Sequence, residues 1–201
     1  YPLTYSTYAL ANHFSQDAIR NFLTTTYTGA KGENNNNYLM MANIAKPSTQ
    51  SYQTSSLTMA ATSYYKITFS AKYLQAESGK NPEFRLIYDN SNGYWETIKI
   101  QASEDMVEYS FYYANESSKS ASVYLAYFLG SDDAQGDAED VENLMAGILI
   151  VDDLKIAKLT KDDYTADKSA TENDTNKAGL FGSFLKEAEA DKEDETPVED
   201  E

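Results

Sequence analysis

Two side chains stand out for what their positions demand chemically: Asp152 and Trp95. Asp152 lies in Ile148-Leu149-Ile150-Val151-Asp152-Asp153-Leu154-Lys155-Ile156, where simple alternation gives it one face with Ile148, Ile150, Leu154 and Ile156 and turns it inward. A carboxylate removed from water needs a cation or several hydrogen bonds. A bulge that returns Asp152 to solvent, or a set of backbone N–H donors, would meet the same requirement. Trp95 follows the opposite logic. Ile98 and Ile100 take the inner face of their strand, which leaves Trp95, Thr97 and Lys99 outward. An outward indole either stacks on a ligand or packs under a loop.

Other chemistries are closed or weak. The chain has no cysteine and one histidine, His13, so thiolate zinc sites, cysteine nucleophiles and multi-histidine metal sites are excluded. Carboxylates are plentiful, and a glycosidase needs only two. No pair sits in a distinctive setting, however, so a non-enzyme is expected. The loop from Asp132 to Glu142 gathers six acidic residues without the spacing of an EF-hand, and is expected to be a solvated acidic loop.

The elements that must position these residues are strands. Tyr38–Ile44 and a lighter Thr54–Ala61 come first. In Tyr64–Lys72, Tyr65, Ile67, Phe69 and Ala71 share one face, the pattern of a half-buried antiparallel strand. Phe84–Tyr88 and Tyr94–Ile100 flank Asp89-Asn90-Ser91-Asn92-Gly93, whose turn formers predict a hairpin. Val107, Tyr109, Phe111 and Tyr113 alternate with Glu108, Ser110 and Tyr112, and Val123, Leu125, Tyr127 and Leu129 alternate with Tyr124, Ala126 and Phe128. With Gly147–Ile156 closing the series and no long helix between, the expected fold is an all-β antiparallel sandwich over residues 1–160. Residues 8–23 allow either a short helix or an irregular first strand.

The charge changes character near Thr160. Residues 161–201 hold 14 acidic side chains against 5 basic ones and end in Glu-Asp-Glu-Thr-Pro-Val-Glu-Asp-Glu. A stretch of this kind buries too little apolar area to offset its ordering entropy, so a disordered acidic tail is expected over 161–201. One island, Leu180, Phe181, Phe184 and Leu185, has the spacing of a short helix over 179–190.

The formal net charge of −16 argues against nucleic acid as partner, because phosphate binding needs clustered Lys and Arg. No apolar run approaches the length that spans a bilayer, so no membrane insertion is expected. The chain opens without a signal-peptide pattern; if it is exported, the signal lies outside this stretch. Its 17 Tyr, with many Ser, Thr and Asn, read as an extracellular or cell-surface composition.

Thr62–Phe69, the two hairpin strands and the closing Ile150-Val151-Asp152-Asp153-Leu154-Lys155-Ile156 together resemble the jelly-roll carbohydrate-binding modules. These are galactose-binding-like sandwiches, of the type that binds xylan or glucan, found in bacterial surface and secreted proteins. The resemblance covers residues 34–159. It implies that the hairpin and the Tyr124 strand share one sheet whose outer face takes polysaccharide, with Arg85, Asp89, Trp95, Tyr124 and Phe128 lining it. It also implies a structural calcium (Ca2+) at Asp152. The family's Gly-Phe-Glu-like first strand is replaced here by Arg20-Asn21-Phe22-Leu23-Thr24-Thr25, which has no glutamate. On this resemblance the chain is a glycan-anchoring module of a larger multidomain protein. The alternative is a structural spacer or adhesin repeat of the same fold with no sugar site. Fold alone does not choose between them.

Overall fold

Period-two alternation builds two sheets that meet face to face. The computed structural model of the chain describes residues 38–48, 50–75, 81–89, 94–129 and 145–188. Its strands are β1 (Leu39–Ser48), β2 (Gln50–Gln53), β3 (Leu57–Met59), β4 (Ser63–Gln75), β5 (Glu83–Asp89), β6 (Tyr94–Lys99), β7 (Ser103–Asn115), β8 (Ala121–Leu129), β9 (Met145–Leu159) and β10 (Phe181–Lys186). The first sheet runs β1-β9-β4-β7-β10, and the second runs β2-β8-β5-β6 with β3 also on β8. The all-β sandwich expected from the alternation is the observed fold. His13, residues 8–23 and the acidic loop 132–142 lie outside the described residues.

The core sits between the sheets, and its alternation is the one written in the sequence. Ile67, Phe69 and Ala71 of β4 and Tyr109, Phe111 and Tyr113 of β7 face Phe84, Ile98, Val123, Leu125 and Tyr127 of the second sheet. Rings dominate the contact: Phe69 stacks on Tyr109 at 5.2 Å and meets Phe84 at 4.7 Å and Tyr127 edge-on at 5.3 Å. Such aromatic pairs add to plain area burial, which suits a core this rich in Tyr and Phe.

The expected boundary near Thr160 is corrected by the structure. Residues 161–188 complete the first sheet. Helix α1 (Lys161–Asn173) starts at Thr160, whose hydroxyl oxygen accepts the N–H of Asp163 at 3.1 Å and whose O–H donates to the Asp163 carboxylate at 2.7 Å. Asp162 and Asp163 in the first turn also suit the positive end of the helix dipole. A 3-10 turn (Thr175–Lys177) leads to Gly179, whose φ of 81° is the left-handed conformation glycine takes without a Cβ penalty. The chain then enters β10, which pairs in parallel with β7 from Phe181–Ser110 to Lys186–Asn115. Parallel pairing needs a crossover between strands, and α1 supplies it.

Within the helix expected over 179–190, Phe181–Lys186 form a strand for the same reason. Strand geometry sends Phe181 and Phe184 to opposite faces: Phe184 stacks on Tyr88 at 4.3 Å and on Tyr113 at 5.4 Å in the core, while Phe181 meets Tyr112 at 5.6 Å on the outside. Gly182 sits where a Cβ would approach Ile98 and Phe111 to 2.8 and 2.9 Å. Only a residue without one lets β10 lie this close.

Tyr64, Lys66 and Tyr112, which alternation turns away from the core between the sheets, lie under α1. Lys66 Nζ donates to Asp167 at 2.6 Å, the Tyr112 hydroxyl donates to the same carboxylate at 2.7 Å, and Tyr112 and Thr171 share a hydrogen bond of 3.0 Å. Tyr164 packs on both Tyr64 and Tyr112.

Candidate functional site

The outer face of the second sheet is assembled by register. Ile87 of β5 pairs with Trp95 of β6 on one side and Tyr124 of β8 on the other, a row across three strands. The next row is Thr97, Arg85 and Ala126, and the third is Lys99, Glu83 and Phe128. Adjacent strands lie about 4.8 Å apart, so Trp95 and Tyr124 stand roughly 10 Å apart at the backbone. Four of the five residues implied by the family resemblance, Trp95, Tyr124, Arg85 and Phe128, therefore meet on one face. Asp89 ends β5, paired with Tyr94 beyond a bulge; its side chain lies outside the described residues.

Arg85 organises this face. Its guanidinium carbon lies 4.6 Å from the Trp95 ring centre and 4.2 Å from that of Phe128. Its Nε and one terminal nitrogen each donate to Glu83 Oε2 at 2.8 Å. The guanidinium is thus held between two aromatic rings and pinned by a carboxylate on the same strand face, a geometry that lysine does not reproduce. Arg85 is only 3% exposed, and Ile87, Ala126 and Phe128 are buried with it. Trp95 and Tyr124 stay partly exposed and pack on that cluster. The accessible aromatic surface is therefore Trp95 and Tyr124, while Arg85 and Phe128 form its support.

Asp152 is placed differently from the inward position that alternation predicts. Before it, Leu149 and Val151 face the core, and Asp152 pairs with Ser70, which is not part of the core. Thr68 pairs with Lys155 and Ser70 with Asp152, so Phe69 alone stands opposite Asp153 and Leu154. That is a β-bulge, and Asp153 carries its strain with φ of 55°. After the extra residue the phase resets, and Ile156 pairs with core Ile67. Residues 147–151 are buried on both faces, so their alternation carries no phase information.

The Asp152 carboxylate accepts the N–H of Asp153 at 2.8 Å and is partly exposed. Calcium takes six to eight oxygens. Among the described residues no three acidic or histidine side chains gather around Asp152.

A cleft that the sequence did not signal opens between the sheets at the side where β1 and β2 form edges. It has a volume of about 540 Å³ and is lined by Leu39 and Val151 from the first sheet, Tyr52 and Tyr127 from the second, and the bulged Asp152–Lys155 segment. No periodicity in a single strand reports the gap between two edges, which explains why it was not foreseen.

No protein-family model matches the sequence. No curated protein matches it either. Among solved structures, a chain described as "CBM4 structure and function" aligns with a TM-score of 0.43 at 15% sequence identity, covering 66% of this chain and 83% of that one. At that score and identity the likeness assigns this chain to no family.

Proposed function

We propose that this chain is a non-catalytic glycan-binding module, with polysaccharide lying across the outer face of the second sheet. The observation that carries this reading is the clamp under Trp95: a partly exposed indole backed by Arg85, which is itself fixed by Glu83. Aromatic faces stack on the C–H faces of pyranose rings, and a platform held rigid before binding spends less ordering entropy on it. Tyr124 lies two strands away in the same row and extends the platform toward a second sugar ring. In this reading the module is secreted or displayed at the cell surface and tethers a larger protein to glycan.

A structural spacer with no ligand is the second reading. The burial of Ile87, Ala126 and Phe128 on the same face favours it, because those residues present little free surface. Affinity electrophoresis against soluble xylans, glucans and other polysaccharides, backed by a glycan array, separates the two. Retardation by at least one polysaccharide that Trp95→Ala abolishes and Lys158→Ala, on the other sheet, leaves intact supports glycan binding. Absence of retardation by every polysaccharide leaves the spacer.

A further inference from the structure

β10 is paired on one side only. The Ser110 N–H donates to the Leu180 carbonyl and the Glu116 N–H to the Lys186 carbonyl, each at 3.0 Å. In a parallel ladder alternate residues of a strand turn both backbone groups to the same neighbour, so Gly182, Phe184 and Lys186 bond to β7. Phe181, Ser183 and Leu185 therefore aim their N–H and C=O groups at the opposite edge, where no strand pairs among the described residues.

The other sheet edges carry guards. β1 includes Lys46 and Pro47, β6 includes Glu96 and Lys99, and β2 is only 4 residues long. Charges, proline and shortness are the usual devices that keep a sheet edge from pairing. β10 has a single charge, at its last residue Lys186, and its Leu185 is 48% exposed. α1 lies over Tyr64 and Tyr112, on β4 and β7, and leaves a groove of about 330 Å³ between itself and Ser183 and Leu185.

This open edge matches itself. Set antiparallel about a two-fold axis at Ser183, one β10 exchanges hydrogen bonds with another through its three outward residues: Ser183 with the partner's Ser183, and Phe181 with the partner's Leu185. On the outer face the exposed Leu185 then meets the partner's Phe181, an apolar cross-strand pair. On the inner face Phe184 meets the partner's Gly182, which has no side chain to obstruct it. The same register brings the exposed Glu187 alongside the partner's Gly179, toward the partner's Lys177, so unlike charges approach at both ends of the pair.

We propose that two copies of this chain pair edge to edge through β10, joining their first sheets into one. Pairing does not depend on glycan binding; where both occur, the dimer carries two Trp95 platforms, and a second engagement on the same polysaccharide becomes intramolecular.

The test combines sedimentation velocity of the full chain, from micromolar to millimolar concentration, with amide hydrogen exchange read by NMR. Salt above physiological strength is used, because two chains of net charge −16 otherwise repel. The mass is expected to double with concentration, and the Phe181, Ser183 and Leu185 amides to gain protection in step with it. Ser183→Pro removes the central donor without cutting a bond to β7, so it is expected to stay monomeric with a melting temperature close to that of the wild type. Leu185→Glu, at an exposed side chain, is expected to weaken association about tenfold or more, and carries the test should the proline variant not fold.

A chain that stays monomeric throughout overturns the proposal. So does a dimer that both variants leave intact, or one in which these three amides stay unprotected, which would place the contact elsewhere. Protection of the amides in a monomer would mean that another part of the chain covers the edge, and rejects the second copy.

Discussion

The guanidinium carbon of Arg85 lies 4.6 Å from the centre of the Trp95 ring, so the residue proposed to meet glycan rests on a buried cation. Replacing Arg85 with Met keeps bulk and removes both the charge and the bonds to Glu83. Loss of a desolvated cation–π contact is expected to cost about 1–2 kcal/mol of stability, read by urea denaturation. The same variant should weaken polysaccharide retardation although Arg85 is too buried to touch the ligand. Full retention of binding would show that the clamp does not preorganise Trp95.

The dock of α1 on the first sheet should respond to pH. Burial alone would raise the Asp167 carboxyl, but hydrogen bonds from Lys66 and Tyr112 and the Lys66 charge outweigh it and hold the group below its ordinary 3.8. Burial would likewise lower the Lys66 ammonium, yet Asp167 and Tyr112 hold it above its ordinary 10.5. The carboxylate's contribution is therefore complete above 3.8 and is lost as pH falls through its depressed value; that of the ammonium is complete below 10.5 and is lost as pH rises through its raised value. Because the Asp167 side chain is 41% exposed, solvent screens the pair, and Asp167→Asn should cost no more than about 1 kcal/mol at pH 7. The gap between variant and wild type should close toward pH 2 in urea melts. A gap that stays constant would mean the charge plays no part.

Gly182 admits β10 to the sheet. A side chain there meets Ile98 and Phe111, so Gly182→Val is expected to destabilise the fold by about 1–3 kcal/mol through overpacking. Hydrogen exchange should locate the damage: faster exchange at the Ser110 and Glu116 amides, which donate to Leu180 and Lys186, than at amides of the β4–β9 pair. Uniform loss of protection would instead make β10 inseparable from the rest of the sandwich.

Chelator separates the two descriptions of Asp152. With its carboxylate on a backbone N–H and no cluster of acids around it among the described residues, removal of calcium is expected to leave the melting temperature unchanged. A fall of several degrees, restored by calcium and absent in Asp152→Asn, would return the ion to this position.

Alternation made the sandwich legible before any coordinates. Strands β4 and β7 show one apolar face and one wetter face in the sequence, so Phe69 and Tyr109 fall on the apolar side, and they are in the core. The hairpin β5–β6 was legible from its turn residues, and it carried Trp95 and Arg85 to the outer face with it. Phase failed in β9, where a run buried on both sides precedes a bulge at Asp153.

The C-terminal segment marks the deeper limit. Tyr164, Asp167, Lys168 and Thr171 recur at helical spacing along one face of α1, but they are polar, and a search for apolar stripes passes over them. Thr160 and Asp163, a Ser/Thr-x-x-Asp/Glu start signal, were the local sign available. The amino-acid order by itself determined the strands, their inner faces and the excess of aromatic residues, because those follow from near-neighbour chemistry. Tertiary structure alone decided that an acidic segment folds onto the sheet, that Arg85 supports Trp95, and that Tyr127 ends beside an open cleft. Each depends on partners 10 to more than 100 residues away, such as Lys66 for Asp167, and no local pattern encodes such a meeting.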